Sequence, residues 1–402
     1  MTVKKMERIV VVGSSLAGLR TIEALRRRGH EGEIVALSAE AEWPYDRPPL
    51  SKQFLKGDWE LDRLSLRRQG FDDLEVDWRL GVAADSLDLT HQEVALSTGE
   101  SLKYDGLVLA TGASPRMIPG MAGREGVHVL RSLEDARGLR RALDQGGRLA
   151  VIGAGFIGME AAASARQRGL EVVVVEALEA PLLRGLGRQL GELVGQRHRD
   201  QGVDLRCGVG VEGLVGEGSV SGLALSDGSI IEAQNVLVGI GVVPEVAWLE
   251  GSGLEVENGI LCDATGATSE EGVVAVGDCA RWFSPSRGEA VRHEHWTSAV
   301  EQSDVAATRL LCGADEAKPL DSVAYVWSDQ FEMRLALVGE PAAGDTLHVC
   351  HGTLDEDRFL VLVGSEGRLV GAVAMKRPRP LNVARSLLEK GASLDEAIEA
   401  VG

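Results

Sequence analysis

One unit occurs twice in this chain, and the repeat leaves few folds open. Ile9-Val10-Val11-Val12 is a short apolar strand and Gly13-Ser14-Ser15-Leu16-Ala17-Gly18 is a turn. A helix is predicted from there to about Arg28, then a second strand over Ile34 to Leu37. Leu149-Ala150-Val151-Ile152 leads in the same way into Gly153-Ala154-Gly155-Phe156-Ile157-Gly158. A helix to about Arg168 follows, and a strand from Val172 to Val175 closes on Glu176. Strand, Gly turn, helix and strand in that order begin a dinucleotide-binding βαβ unit. The first glycine allows the tight turn, the second lets backbone approach a pyrophosphate, and the third lets the helix pack closely on the strand. The helix N-terminus then faces the phosphate charge. A short Gly pattern alone is a weak signal, but here both copies carry the flanking strands and helix.

The copies differ. The second has all three glycines, Gly153, Gly155 and Gly158, and ends in Glu176, whose carboxylate suits ribose hydroxyls and repels a 2′-phosphate. That favours NADH over NADPH, and the nearest following arginine, Arg184, stands too far on to welcome a phosphate. The first copy has Ser15 in place of the middle glycine, and the first carboxylate after its second strand is Glu40. Two dinucleotide sites in one chain imply one fixed and one exchanging cofactor with hydride moving between them. FAD and NADH are the expected pair.

Composition excludes several alternatives. The chain has 402 residues, enough for two or three domains, and a formal net charge of −19. Such a chain repels nucleic acid and anionic membranes unless basic residues are concentrated locally. Arg26-Arg27-Arg28, Arg67-Arg68 and Lys376-Arg377-Arg379 are the local clusters, read as solvated faces with a landing site for an acidic partner as the sharper alternative. The five cysteines, Cys207, Cys262, Cys279, Cys312 and Cys350, include no closely spaced pair, which argues against a disulfide framework, a zinc site or a cluster held by this chain. A reducing cytoplasm fits that usage. No apolar run reaches membrane-span length, and Met1 to Val12 runs into a Gly turn with no cleavage pattern of a signal peptide. His293-Glu294-His295 holds near-adjacent ligand types with no distant partner, so no metal is expected.

Further motifs follow the first unit. They are Tyr45-Asp46-Arg47-Pro48-Pro49-Leu50-Ser51-Lys52, Leu107 to Gly112 ending in Thr111-Gly112, Leu130 to Ala136, Gly239-Ile240-Gly241-Val242-Val243-Pro244, Ala275-Val276-Gly277-Asp278-Cys279-Ala280, Trp296, Glu301-Gln302, and Trp327-Ser328-Asp329-Gln330. Together they resemble the FAD-dependent ferredoxin reductases, of the putidaredoxin-reductase and biphenyl-dioxygenase-reductase kind, that serve bacterial P450s and aromatic-ring dioxygenases. The resemblance runs from Ile9 to about Leu388.

The resemblance implies roles. Gly13, Ser15, Leu16, Ala17, Gly18, Glu40, Thr111, Gly112 and Gly277 would hold FAD, with Asp278 accepting from the ribityl chain. Arg47 and Arg131 would contact FAD, Ala84 would offer backbone to the adenine end, and Trp296 would lie along the ring. Lys52 would stand near flavin N5, Glu160 would pair with Lys52 or approach the nicotinamide, and Trp327 would cover the flavin. Gly153, Gly155, Phe156, Ile157, Gly158, Glu160, Glu176, Gly239, Ile240 and Gly241 would hold NAD. Two departures matter: Ala39 stands where related reductases carry an acidic ribose contact, and Ser15 adds a side chain to the pyrophosphate loop.

The expected fold is α/β, with two Rossmann-like dinucleotide-binding domains in a glutathione-reductase-like arrangement and a small α+β C-terminal domain. An FAD domain takes residues 1–112 and 245–320, an NAD domain 113–244, and an interface domain 321–402. In the last, strands are predicted at Leu335 to Val338, Leu347 to Cys350, Arg358 to Val363 and Leu369 to Ala374, with a helix from Asn382 to Lys390. Disulfide reductases of similar layout carry a redox Cys pair soon after the first unit, and related peroxidases a single Cys there. This chain has no Cys before Cys207. An internal thiol relay is therefore not expected, and the resemblance implies a small iron–sulfur carrier taking electrons singly, a [2Fe–2S] ferredoxin foremost, with a Rieske-type ferredoxin and a rubredoxin left open; the expected state is a monomer or homodimer. The rival readings are an NADH oxidase or peroxidase, and an NADH-responsive redox sensor like apoptosis-inducing factor.

Overall fold

Both apolar tetrads of the repeat become central strands, because runs of Val, Ile, Leu and Ala suit a sheet covered on both faces. The computed structural model describes residues 5–342 and 344–402. The first four residues of the Met1 to Val12 stretch lie outside them. The chain forms two compact units: one takes the chain up to Asp46, Leu64–Ser114 and Val243–Ser322, the other Arg47–Arg63, Pro115–Val242 and Val323–Gly402.

In the first unit a parallel five-stranded sheet runs in the order Val273–Ala275, Gly106–Leu109, Arg8–Val12, Glu33–Ser38, Val76–Leu80. Ile9 to Val12 and Ile34 to Leu37 are buried at its centre. The helix Leu16–Arg27 connects two of these strands and lies beside the helix Trp296–Cys312. Arg28 joins them by a bidentate pair with Asp304 at 2.8 and 2.6 Å, and Ser303 Oγ donates to Ala17 O at 3.0 Å.

The second unit repeats the plan. Its parallel sheet runs Asp204–Cys207, Val172–Glu176, Leu149–Ile152, Asn235–Val238, Val127–His128. The repeat extends to single hydrogen bonds. Gly13 N donates to Leu37 O at 3.0 Å and Gly153 N to Val175 O at 2.8 Å, so each turn is tied to the tip of its second strand. Ala110 N donates to Val12 O and Gly239 N to Ile152 O, both at 2.8 Å, tying each turn to the strand on its other side.

The same unit contains an antiparallel sheet in the order Tyr325–Gln330, Met333–Gly339, Arg368–Met375, Phe359–Ser365, Thr346–His351. The helices Pro378–Glu389 and Leu394–Val401 pack Leu381, Ala384, Ala397 and Val401 into its core. The fold is thus α/β, with two parallel-sheet Rossmann-like regions and a C-terminal antiparallel sheet, as the sequence predicts. In the C-terminal segment two elements are additions to the sequence reading: the strand Tyr325–Gln330 and the last helix. The helix predicted from Asn382 begins earlier, because Pro378 is a good first-turn residue. Among the described residues no helix is long and apolar enough to cross a membrane.

Candidate functional site

Gly13 and Gly153 show why glycine is required at the turns. Their φ values are +101° and +98°, and a Cβ would stand 2.2 Å from Ala110 O and 2.4 Å from Gly239 O respectively. Gly18 and Gly158 have ordinary φ, but a Cβ would meet the carbonyl of Gly13 at 1.9 Å and of Gly153 at 2.2 Å. Each therefore lets its helix sit directly on the turn. Gly155 is different: nothing lies within 4 Å of its Cβ position. That open space stands at the N-cap of the helix Phe156–Gln167, which has no side-chain cap and no acidic residue in its first turn. The helix Leu16–Arg27, with Ser15 as N-cap, likewise has neither. Helix starts without a side-chain cap, positive helix ends and a carboxylate-free first turn fit the pyrophosphate of a dinucleotide at both turns.

In the first unit, Gly277 and Thr111 stand at this turn, and the other predicted residues have partners of their own. A Cβ on Gly277, at φ +75°, would stand 2.9 Å from the Cβ of Ala17 in the helix's first turn. Gly277 therefore lies against the N-terminal end of that helix, next to Ala17, and Asp278 follows it in the chain. Gln302, buried, fixes the Gly277 N–H through its Oε1 at 2.8 Å. Thr111 Oγ1 donates to Glu245 O at 2.6 Å beside Gly112, whose φ is +76°. Trp296 opens its helix and donates from Nε1 to Asp46 Oδ1 at 2.9 Å. Glu40 accepts from the Tyr45 hydroxyl at 2.5 Å, and Ala84 begins a small antiparallel sheet of Ala84–Asp88, Glu93–Leu96 and Ser101–Lys103.

In the second unit, Glu176 turns its carboxylate onto its own turn, accepting from Ala154 N at 2.7 Å and Leu178 N at 2.9 Å. Phe156 and Ile157 open the helix, and Ile157 is exposed. Ile240 packs on the core under the sheet between Gly239 and Gly241. Arg47 donates to Arg131 O at 2.7 Å, and Asp135 holds the Arg131 N–H at 3.1 Å.

Lys52 and Glu160 are only 6% and 4% exposed, and Lys52 Nζ donates to Glu160 Oε2 at 2.8 Å. The same oxygen accepts from Ser51 Oγ at 2.5 Å, and Glu160 Oε1 accepts from Ser328 Oγ at 2.6 Å. Ser328 and Gln330 are buried, whereas Trp327 is partly exposed and faces Ala336 across the sheet. Strand alternation puts Trp327 on the face opposite to Ser328 and Gln330.

Sequence reasoning assigned no role to Asp46, Ser51, Gln302, Ser328, Gln330 or His198; the first five hold a predicted residue or its partner, and His198 holds Gln330. Five of them stood inside motifs it singled out, so the signal was present and only the roles were unread.

The cysteines are free. Cys262 and Cys279 are buried, and burial pushes both thiols up, which disfavours the reactive thiolate. The rings of His293 and His295 stack at 5.5 Å. Among the described residues no group of three or more His, Cys, Asp or Glu side chains is placed to hold a metal ion.

Residues 7–303 match the model of the pyridine nucleotide-disulphide oxidoreductases, and residues 325–400 that of the reductase C-terminal domain. Rhodocoxin reductase of Rhodococcus erythropolis is 37% identical over 383 residues, covering 94% of this chain and 89% of that protein. The ferredoxin–NAD(+) reductase component of the anthranilate 1,2-dioxygenase system of Burkholderia cepacia is 38% identical over 389 residues, covering 96% and 95%. Among solved structures, the covalent putidaredoxin reductase–putidaredoxin complex matches with a TM-score of 0.92 at 32% identity over 98% of each chain.

Proposed function

The chain belongs to the pyridine nucleotide-disulphide oxidoreductase family, in its ferredoxin–NAD(+) reductase branch, and from that premise we propose that it oxidises NADH through FAD and delivers the electrons to a small ferredoxin serving a P450 or ring-hydroxylating oxygenase. The observation that carries this reading is the pair of Gly turns built on one hydrogen-bond plan in a chain whose cysteines all lie after both turns. Bound FAD supplies the chemistry that converts a two-electron donation into single-electron release.

The protein's part is binding, orientation and charge. Gly13 to Gly18, Glu40, Ala84, Thr111, Gly112, Gly277, Asp278 and Trp296, with Arg47, Arg131 and Trp327, are assigned to FAD. Gly153 to Gly158, Glu176 and Gly239 to Gly241 are assigned to NADH. Glu176 already lies at the turn, held by two backbone N–H groups, where a carboxylate prefers ribose hydroxyls to a 2′-phosphate. Lys52 is assigned as the fixed positive charge that favours an anionic reduced ring, and Glu160 as the group that holds it. Electrons are assigned to leave without a thiol step, since no Cys precedes Cys207 and so none stands where the disulfide reductases and peroxidases of similar layout carry theirs. The domains assigned to these tasks are residues 1–112 with 245–320, 113–244 and 321–402. We take the carrier to be of the [2Fe–2S] type, the enzyme to be a cytoplasmic monomer or homodimer, and neither nucleic acid nor membrane to be a partner.

The test is anaerobic addition of NADH to the yellow holoprotein, followed by cytochrome c reduction with and without a [2Fe–2S] ferredoxin. Bleaching by NADH and ferredoxin-dependent reduction are expected. NADH consumption that is equal with and without ferredoxin would instead identify an oxidase, and bleaching that is very slow and long-lived a sensor.

A further inference from the structure

Glu160 commits both oxygens, and one of them leads away from Lys52 along a chain of buried polar groups. Ser328 Oγ donates to Glu160 Oε1 at 2.6 Å, Gln330 Nε2 donates to Ser328 Oγ at 2.9 Å, and Gln330 Oε1 stands 2.8 Å from His198 Nε2. His198 lies on the helix Leu183–Asp200, is 0% exposed, and has Phe331 edge-on to its ring at 4.9 Å. His198 Nδ1 is buried with no hydrogen-bond partner.

The proton order in this chain is set from both ends. A carboxylate only accepts, so the Ser328 proton goes to Glu160. The Ser328 oxygen is then free to accept, and the amide of Gln330 presents its NH2 group there. Its carbonyl faces His198, which must therefore carry its proton on Nε2 and leave Nδ1 as a bare lone pair. The partnerless Nδ1 agrees with that tautomer, since a buried N–H without an acceptor is costly.

Without the His198 donor, the order would be held from the Glu160 end alone, and the Gln330 amide could turn over. Its carbonyl would then face Ser328, the hydroxyl would donate to Gln330 instead, and Glu160 would lose the contact that anchors Oε1. Held then at Oε2 alone, by Ser51 and Lys52, the carboxylate could turn about that oxygen and carry the Lys52 ammonium with it.

We propose that His198 is a positioning residue for flavin reduction: acting through Gln330 and Ser328, it fixes the orientation of Glu160 and so the place of Lys52. The inference rests on the reading of Lys52 and Glu160 as the charged pair of the reductive half-reaction. It assigns His198 no contact with either cofactor.

His198→Leu removes the donor at similar volume, and His198→Gln restores an N–H that can reach Gln330. Anaerobic single-turnover bleaching by NADH, read across NADH concentrations, separates the rate of reduction from the affinity. The expected result is a loss of about tenfold in rate for His198→Leu with NADH affinity unchanged, and recovery of most of it in His198→Gln. In a Glu160→Gln background, His198→Leu should add nothing further, because the chain then ends on a group that no longer holds Lys52 as a charge. Long-range proton–nitrogen NMR of histidine-labelled holoprotein should show His198 protonated on Nε2 alone.

Equal rates in wild type and His198→Leu, equal losses in both variants, independent losses in the double variant, or a proton on Nδ1 would each overturn the proposal. If His198→Leu does not fold, Ser328→Ala breaks the same chain at the next link and must show the same separation of rate from affinity. A wild-type holoprotein that NADH fails to bleach would reject the underlying functional reading, whereas a bleaching wild type with an unaltered His198→Leu rejects the role of His198 alone.

Discussion

Taking Lys52 out of water costs several kcal/mol, and a single partner rarely offsets that. Here the ammonium meets a carboxylate that two serine hydroxyls also hold, so the pair is satisfied as a small network. His198 closes that network as a neutral ring, and burial depresses its pKa from 6.5 to about 4. The consequence for stability follows from the sign of the shift. Above pH 6.5 neither the folded nor the unfolded chain protonates this residue, so its contribution is fully present. As the pH falls from 6.5 towards 4 the unfolded chain binds a proton that the folded one refuses, and stability is lost across that window. The loss saturates below about 4 at roughly 3 kcal/mol. Denaturant unfolding of the holoprotein at pH 7, 6 and 5 should therefore show a decline that is shallower in His198→Gln, because glutamine does not titrate. Parallel declines in the two proteins would place the acid sensitivity elsewhere.

At the scale of elements, the two Gly turns separate what folding needs from what a ligand needs. Gly158→Ala would push a methyl group to 2.2 Å from the Gly153 carbonyl, which the turn cannot relieve without moving the helix. Gly155→Ala meets no atom within 4 Å. The first should lower the melting temperature sharply, by several degrees or more for the few kcal/mol that overpacking costs, about 1–3 kcal/mol by general experience. The second should leave melting nearly unchanged and weaken NADH binding, measured by titration of the bleaching rate. A Gly155→Ala variant with normal NADH affinity would show that the open space has another use. These turns were legible in the sequence because their requirements are local: a positive φ, a missing Cβ, and an apolar strand on each side. The network at Glu160 was not, because its members lie 108, 109 and 168 residues away from it and no local pattern links them. Ser328 and Gln330 did stand inside a tetrad that drew notice for its tryptophan, and alternation along a strand was the signal that would have set them on the other face. The strand Tyr325–Gln330 escaped notice because Ser328, Asp329 and Gln330 dilute the apolar pattern. The last helix had a readable start, since Ser393 and Glu396 form a capping box at the expected spacing.

For the molecule as a whole, a net charge of −19 sets the problem of how an acidic carrier approaches at all. Against an acidic ferredoxin, the partner proposed, the long-range field opposes encounter and only a local excess of positive charge can favour it. The sequence offered three basic clusters, and the structure reduces the choice. Arg26 donates to four backbone carbonyls, those of Leu74, His30, Gly32 and Glu75, and Arg27 and Arg28 both pair with Asp304. Arg67 pairs with Asp72 while lying over the rings of Trp43 and Phe71. The segment Lys376 to Arg379 leads into a helix with no acidic residue in its first turn, and Arg379 is exposed. Net charge and local charge predict opposite responses to salt. Screening the overall repulsion would speed the ferredoxin-dependent reaction, whereas screening a basic landing site would slow it. We expect the second: the apparent second-order rate of ferredoxin-dependent cytochrome c reduction should fall by on the order of tenfold between low and physiological ionic strength. Bleaching by saturating NADH, measured alongside, should change little, because that step follows binding. A ferredoxin rate that rises with salt would mean that the field of the whole molecule governs the encounter, and a rate that stays flat would mean that no charged surface steers it.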